Sequence, residues 1–558
     1  MNTTTTVQPT RRPRVLSGLT PYAGTFGNNE LIHLLKRTLF GSTKADIDFF
    51  KGKTMLQVVD ALLTAPASEP PPPIKTYPDK TNVTPLETVV AGATWVNSQE
   101  NNNFNGERRA SLRAWWIGNM INQDKTIFEK MVLFWHNHFA TEVIETAPIL
   151  GYDNVVLLRK NALGNFKTFV NDVTFQPQML KYLNGERNSK SVPDENYARE
   201  LQELFTLGKG TDSQYTEGDV KAAAKLLTGW RIRQVETPIS SGKWVWETYL
   251  DASRHDIGTK TFSAFYGGKT ITGKATNTVT DALVEFDEML NMIFDKNEVS
   301  KFICRKLYTF FIYYEIDADI ETNVITPLAT IFRPANYDIK PVLKALLTSE
   351  HFFDAANKGC LIKSPLDYVV GIAREFNMDI PTAANYTEQY LAWNAFAGES
   401  NKGAASQGQH LGNPPNVAGW PAYYQTPVFH EFWINTDSFP KRVSFVDKFL
   451  TNNGIGLGNS KKLIIDVLKF TDQFGNDASD PNKLIDRVLE ILYRVPVSTT
   501  LKNYAKNILL SGQTSDYYWT DAWDAYKTSP TAANIATVNT RLQTFYKLLV
   551  DLPEFHLC

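Results

Sequence analysis

The chain has 558 residues, 43% of them hydrophobic and 12% aromatic, a composition that supports a large core and excludes global disorder. Lys and Arg number 57 against 59 Asp and Glu, for a net charge of −2, which excludes a nucleic-acid binder built on a broadly basic surface. Cys304, Cys360 and Cys558 are odd in number, far apart and without a CxxC pair, so neither a zinc ribbon nor a disulfide scaffold is expected. No run of ~18 apolar residues occurs, so no membrane span is predicted.

Met1 to Leu16 is Thr-rich and then basic at Arg11, Arg12 and Arg14. No apolar stretch follows, so residues 1–27 read as a flexible arm rather than a secretory signal, and a cytoplasmic location is favoured. The folded body opens at Leu31, where Leu31, Leu34, Leu35 and Leu39 recur at helical spacing and Gly41 stops the run. Ser42 to Asp46 reads as the cap of a next helix. Pro70 to Pro73 is an extended surface segment. From Arg108 to Phe139 two apolar stripes follow, Leu112, Trp115, Trp116, Met120 and then Phe128, Met131, Val132, Trp135. Val155 to Phe169 and Gln176 to Leu183 predict further helices. A helix from about Asp194 to Leu207 ends at Gly208, and Thr216 to Asp219 is a capping-box pattern.

Val235 to Lys274 changes character, with Trp244, Val245, Trp246, Thr248 and Tyr249 favouring strands, and predicts a small β-rich insertion around residues 235–275. Helices resume over 280–294, 299–314, 339–348 and 366–376. Gly398 to Thr436, rich in Gly, Asn, Pro and Trp, is a long ordered loop. Further helices are expected over 441–450, 461–470, 482–493 and 538–549. The predicted fold is mainly α: a large multi-helix body over 28–440, with the insertion and long ordered loops, and a C-terminal helical region over 441–558 packed on it.

Two segments place many polar groups in apolar surroundings: Phe134-Trp135-His136-Asn137-His138-Phe139, and Asn196 to Phe205. Carboxylates, imidazoles and guanidinium groups enter a core when they are paired or bind a metal. Asn196, Glu200 and Glu203 are spaced i, i+4 and i+7, along one helical face, and Arg199 can pair with Glu203. ExxE on a helix is a geometry used by carboxylate metal ligands, and it also occurs on solvated or salt-bridged faces. His136 and His138 lie ~200° apart on a regular helix and converge only if the helix ends near Asn137 or the segment is extended. The alternative is a core histidine and a capping histidine. His255-Asp256 in a turn offers a ligand with its orienting carboxylate, a general base, or simply an Asx turn before Gly258. Gln409 to Pro421, with Trp420, could line a pocket wall or cap helix ends. No GxSxG, GxxxxGK[ST], HExxH or GxGxxG is present, which removes the main support for serine-hydrolase, P-loop and dinucleotide readings.

Taken in order, His33 to Gly41, Phe134 to Phe139, Asn196 to Gly208, Asp219 to Trp230, His255 to Gly258, Lys363-Ser364-Pro365 and Pro414 to Trp420 resemble the DUF1800 family, a large bacterial family of mostly uncharacterised proteins. The similarity runs from about residue 28 to the C-terminus. It implies a mainly helical fold and no particular reaction. Many members look exported, often with a twin-arginine signal, whereas Arg11-Arg12 here has no apolar run behind it.

The residue chemistry supports two expectations. The first is a metal-dependent enzyme, an oxidoreductase or hydroxylase if iron is bound. His136, His138, His255 and Glu203 would be ligands of a divalent iron, manganese or zinc ion, and Arg199, Glu200 and Asp256 would serve catalysis. Its substrate would be a small molecule, peptide or glycan. The second is a non-catalytic structural or binding protein in which the same residues form a buried polar network, with Trp- and Tyr-rich loops such as Ala422 to Trp433 as a partner or glycan surface.

Overall fold

Side-chain caps decide where many of the helices begin. Thr43 and Asp46 cap each other reciprocally at the second helix, so the cap is Thr43 rather than Ser42. Thr216 and Asp219 do the same for the helix Glu217–Leu226, as their spacing predicts. The computed structural model describes residues 18–143, 146–237, 242–398, 400, 402–451 and 454–558. Residues 1–17 of the expected arm, 238–241 of the β-rich insertion, and 399 and 401 of the long loop lie outside the described residues.

The helices that matter below are α1 (Asn28–Thr38), α2 (Asn105–Ile121), α3 (Phe128–His138), α4 (Asn196–Glu200), α5 (Asn297–Phe311), α6 (Pro365–Glu375) and α7 (Tyr386–Ala397). Helices dominate, and among the described residues strands form three two-stranded antiparallel sheets. In the predicted insertion β1 (Trp230–Glu236) pairs with β2 (Trp244–Leu250), setting Ile232 against Thr248 and Arg233 against Glu247. β3 (Thr259–Thr261) pairs with β4 (Thr270–Thr272). No helix of the described residues is long and apolar enough to cross a membrane.

One continuous hydrophobic core joins Leu34 of α1, Trp116 of α2, Trp135 of α3, Tyr368 of α6, and Phe445, Leu484 and Tyr546 near the C-terminus. The C-terminal residues therefore share the core of the body instead of enclosing their own.

Several expected helices take a different form. The stretch 155–169 is two helices, Pro148–Asn161 and Phe166–Thr174, because Asn165 caps the second by accepting from Thr168 N–H. Residues 461–470 open as a strand. β5 (Ile455–Gly458) and β6 (Lys461–Leu463) form a hairpin around Asn459 and Ser460, whose φ values of 49° and 61° suit a tight turn, and the helix starts only at Val467. α7 lies in a stretch with no predicted element, as do the helices Thr499–Leu509 and Tyr517–Thr528.

Candidate functional site

The helix α3 ends at His138, one residue beyond Asn137, and the two imidazoles turn to different neighbours. His136 Nε2 accepts a hydrogen bond from the backbone N–H of Gly412 at 3.2 Å, and its ring packs between Trp116 and Trp420. An acceptor Nε2 makes the ring the neutral Nδ1–H tautomer, and burial pushes its pKa down to about 3. Nδ1 has no hydrogen-bond partner. His138 bonds through Nε2 to the carbonyl of Phe205 at 3.1 Å, and its Nδ1 accepts from Lys306 Nζ of α5 at 3.1 Å. Burial, and then the neighbouring Lys306 charge, hold the His138 pKa well below the ordinary imidazole value. Burial also lowers Lys306 to about 7.

Asn137, between the two histidines, fastens the 409–421 loop. Its Oδ1 accepts from Trp420 N–H at 2.9 Å. Gly419 approaches so closely that a Cβ there would lie 2.3 Å from that same oxygen, and its φ of +92° suits glycine. At the loop's other end Gln409 Oε1 accepts from Leu366 N–H, at the start of α6. The loop thus caps helix ends, the second of the two roles its residues allowed.

The expected helix 194–207 is regular only over α4 and continues as a π-helical turn, Leu201–Thr206. The wider turn moves Glu203 off the Asn196–Glu200 face. Glu203 pairs with Lys209 rather than Arg199. Arg199 instead grips Glu217 with two bonds of 2.6 and 2.7 Å and Glu195 with one of 3.0 Å. Glu200 is partly buried, and one carboxylate oxygen has no partner. Desolvation, and then the nearby Glu203 charge, raise its pKa. Two carbonyls near the end of the turn are served from outside: Phe205 by His138, and Leu204 by Lys306 at 3.4 Å.

His255 and Asp256 belong to a separate knot. His255 Nδ1 bonds to the carbonyl of Thr228 at 2.7 Å, and Nε2 faces Glu285 at 3.4 Å. Lys260 donates to the other oxygen of Glu285 at 2.8 Å. Asp256 Oδ1 accepts from Gly258 N–H at 2.7 Å, an Asx turn. His136, His138 and His255 are therefore each engaged by different neighbours. Among the described residues no group of three or more His, Cys, Asp or Glu side chains is placed to hold a metal ion.

An open site lies elsewhere, a cleft of about 610 Å³ lined by the packed helices α2 and α7. Ligand pockets of this size pair apolar walls with a few placed polar groups. On α7, Tyr386, Tyr390 and Trp393 are spaced i, i+4, i+7 and are all half-buried, so one helical face lines the cleft with aromatic rings. On α2, Trp115 and Asn119 face them, with Asn122 continuing the same stripe. Gly118 lets the Trp393 ring rest on the α2 backbone, since a Cβ there would meet the ring at 2.4 Å. The Pro70–Pro73 run forms a further wall, held by Trp115 Nε1 donating to the carbonyl of Pro71 at 2.6 Å. At the floor Arg159 joins Glu129 at 2.5 Å and Glu69 at 2.6 Å. With Asp124 also lining the cleft, its charged groups carry an excess of negative charge. Two buried donors of the lining, Asn119 Nδ2 and Trp393 Nε1, have no hydrogen-bond partner. No Leu or Ile stripe marks α7 in the sequence; the i, i+4, i+7 aromatic spacing is the signal that does.

No curated protein and no solved structure matches the chain. A family described as a protein of unknown function, DUF1800, matches residues 33–557, nearly the whole length, and the chain belongs to that family.

Proposed function

We propose that this is a binding protein that takes a neutral saccharide into the α2–α7 cleft, and that the histidine, arginine and glutamate cluster is a polar network that fixes helix packing. The observation that carries this reading is the aromatic face Tyr386, Tyr390 and Trp393 lining one cleft with Trp115. Aromatic faces stack on the apolar face of a sugar ring. The acidic excess of the cleft disfavours an anionic ligand. The metal-enzyme expectation finds less support, because its ligand candidates are distributed over three separate hydrogen-bonded sites.

Two tryptophans in one cleft make binding visible by intrinsic fluorescence. Titration with neutral oligosaccharides is expected to give a saturable change that Trp393→Ala abolishes while the circular dichroism spectrum is preserved. Absence of any saccharide response, or a response only to proline-rich peptides, would overturn the reading.

A further inference from the structure

Three sequence motifs left unused by the cleft meet at a second, much smaller cavity of about 40 Å³. Arg37 comes from α1, Ser364 and Asp367 from the start of α6, and His430 from the segment after the Pro414–Trp420 loop. At roughly 10–15 Å³ for each water, the space holds about three waters, or one small oxyanion.

The charges around it do not balance. Lys36 pairs with Glu375, and Lys130 with Asp367, whose second oxygen accepts from Ser364 Oγ at 3.0 Å. Arg37 is 4% exposed, and its hydrogen-bond partners are the carbonyl of Asn357 at 2.8 Å and the thiol of Cys360 at 3.2 Å. Neither is a carboxylate. Its Nε and Nη1 have no partner at all. An arginine keeps its charge in a protein, and Asp367, which acts on Arg37 through space, is itself bonded to Lys130 and Ser364, so the buried guanidinium has no bonded counter-charge, which is costly.

A second donor is unused at the same cavity. His430 Nδ1 accepts from Ile362 N–H at 3.1 Å, which makes Nε2 the N–H of a neutral ring, and that nitrogen is buried without a partner. Phe310, Tyr314 and Trp433 complete the walls. Apolar walls of this kind strengthen an ionic contact by lowering the local dielectric.

We propose that this cavity is an oxyanion site, in which Arg37 supplies the charge and His430 Nε2–H a neutral hydrogen bond to a phosphate ion or a ligand carboxylate. It is independent of the saccharide cleft: the two share no lining residue and differ in the sign of their charge.

Thermal unfolding of the full chain in sodium phosphate, sodium acetate and sodium chloride at matched ionic strength tests it. Phosphate or acetate is expected to raise the melting temperature in a saturable way that chloride does not reproduce, because a ligand that binds only the folded state stabilises it. The more effective of the two distinguishes a phosphate site from a carboxylate site. Arg37→Gln is expected to abolish the rise, and His430→Phe to weaken the apparent affinity at least threefold. Equal effects of all three salts, or a full anion response retained in His430→Phe, would overturn the proposal even if Arg37→Gln fails to fold.

Discussion

The end of α3 and the cavity beside Arg37 are both crowded with buried polar side chains, and they differ in how those side chains are satisfied. Around α3 the charge is suppressed. His136 and His138 are held neutral, and Lys306 is brought to about 7. Beside Arg37 a permanent charge is buried with two nitrogens unused. Polar residues among aromatics therefore mark a place of high stakes without saying which kind. Interlocked groups of this sort hold a fold together, whereas the proposed role of Arg37 is to hold an anion.

The contrast can be broken in three ways. The largest effect of a single substitution is expected from Gly419→Ala, which forces a positive φ on a substituted residue and drives a methyl group into Asn137. A loss of about 3–4 kcal/mol in chemical denaturation is expected, with saccharide binding in the folded fraction unchanged. A loss below ~1 kcal/mol would show that the 409–421 loop is not a fastening.

Acid acts on three sites at once, and between pH 7 and pH 5 its summed effect, about 6 kcal/mol, exceeds that of the single substitution. His33, His136 and His138 are buried and have pKa values depressed below the unfolded value near 6.5. The unfolded chain takes up protons as pH falls through that value and the native chain does not. Stability is thus fully present above about pH 6.5 and declines below it, by about 1.4 kcal/mol per pH unit for each histidine near pH 5. Denaturant midpoints measured between pH 7 and pH 5 check this, and a flat profile would contradict the neutral assignments.

The smallest effect is expected at the other region. In anion-free buffer Arg37→Met should change stability by no more than about 1 kcal/mol, because removing an uncompensated buried charge offsets the two lost hydrogen bonds. A loss of ~3 kcal/mol or more would place Arg37 with the fastenings and erase the contrast.

Much of the fold was legible beforehand, since caps such as Thr216 with Asp219 and stripes such as Phe128, Met131, Val132 and Trp135 act locally. What escaped depends on partners distant in sequence. Nothing near Leu201 announces a π turn; its carbonyls are served by His138 and Lys306, 67 and 102 residues away. The hairpin at Asn459 and Ser460 was hidden by Lys461 to Phe470, which reads as helix until its first residues pair backwards. The roles of His136 and His138 as core or capping groups and of Asp256 in an Asx turn were among the alternatives the residues allowed; the role of Asn137 was not. Their hydrogen-bond partners depend on where Gly412, Phe205 and Trp420 come to rest.

The π turn at Leu201–Thr206 has a mechanical consequence. Its terminal carbonyls are tied to side chains of α3 and α5, so three helices from distant parts of the sequence are joined at one point. Removing a single residue from the turn would restore ordinary α-helical winding and swing those oxygens away from both donors. The strength of the junction thus resides in one surplus residue, and a shortened chain is expected to loosen all three helices together, visible as faster amide hydrogen exchange along each of them.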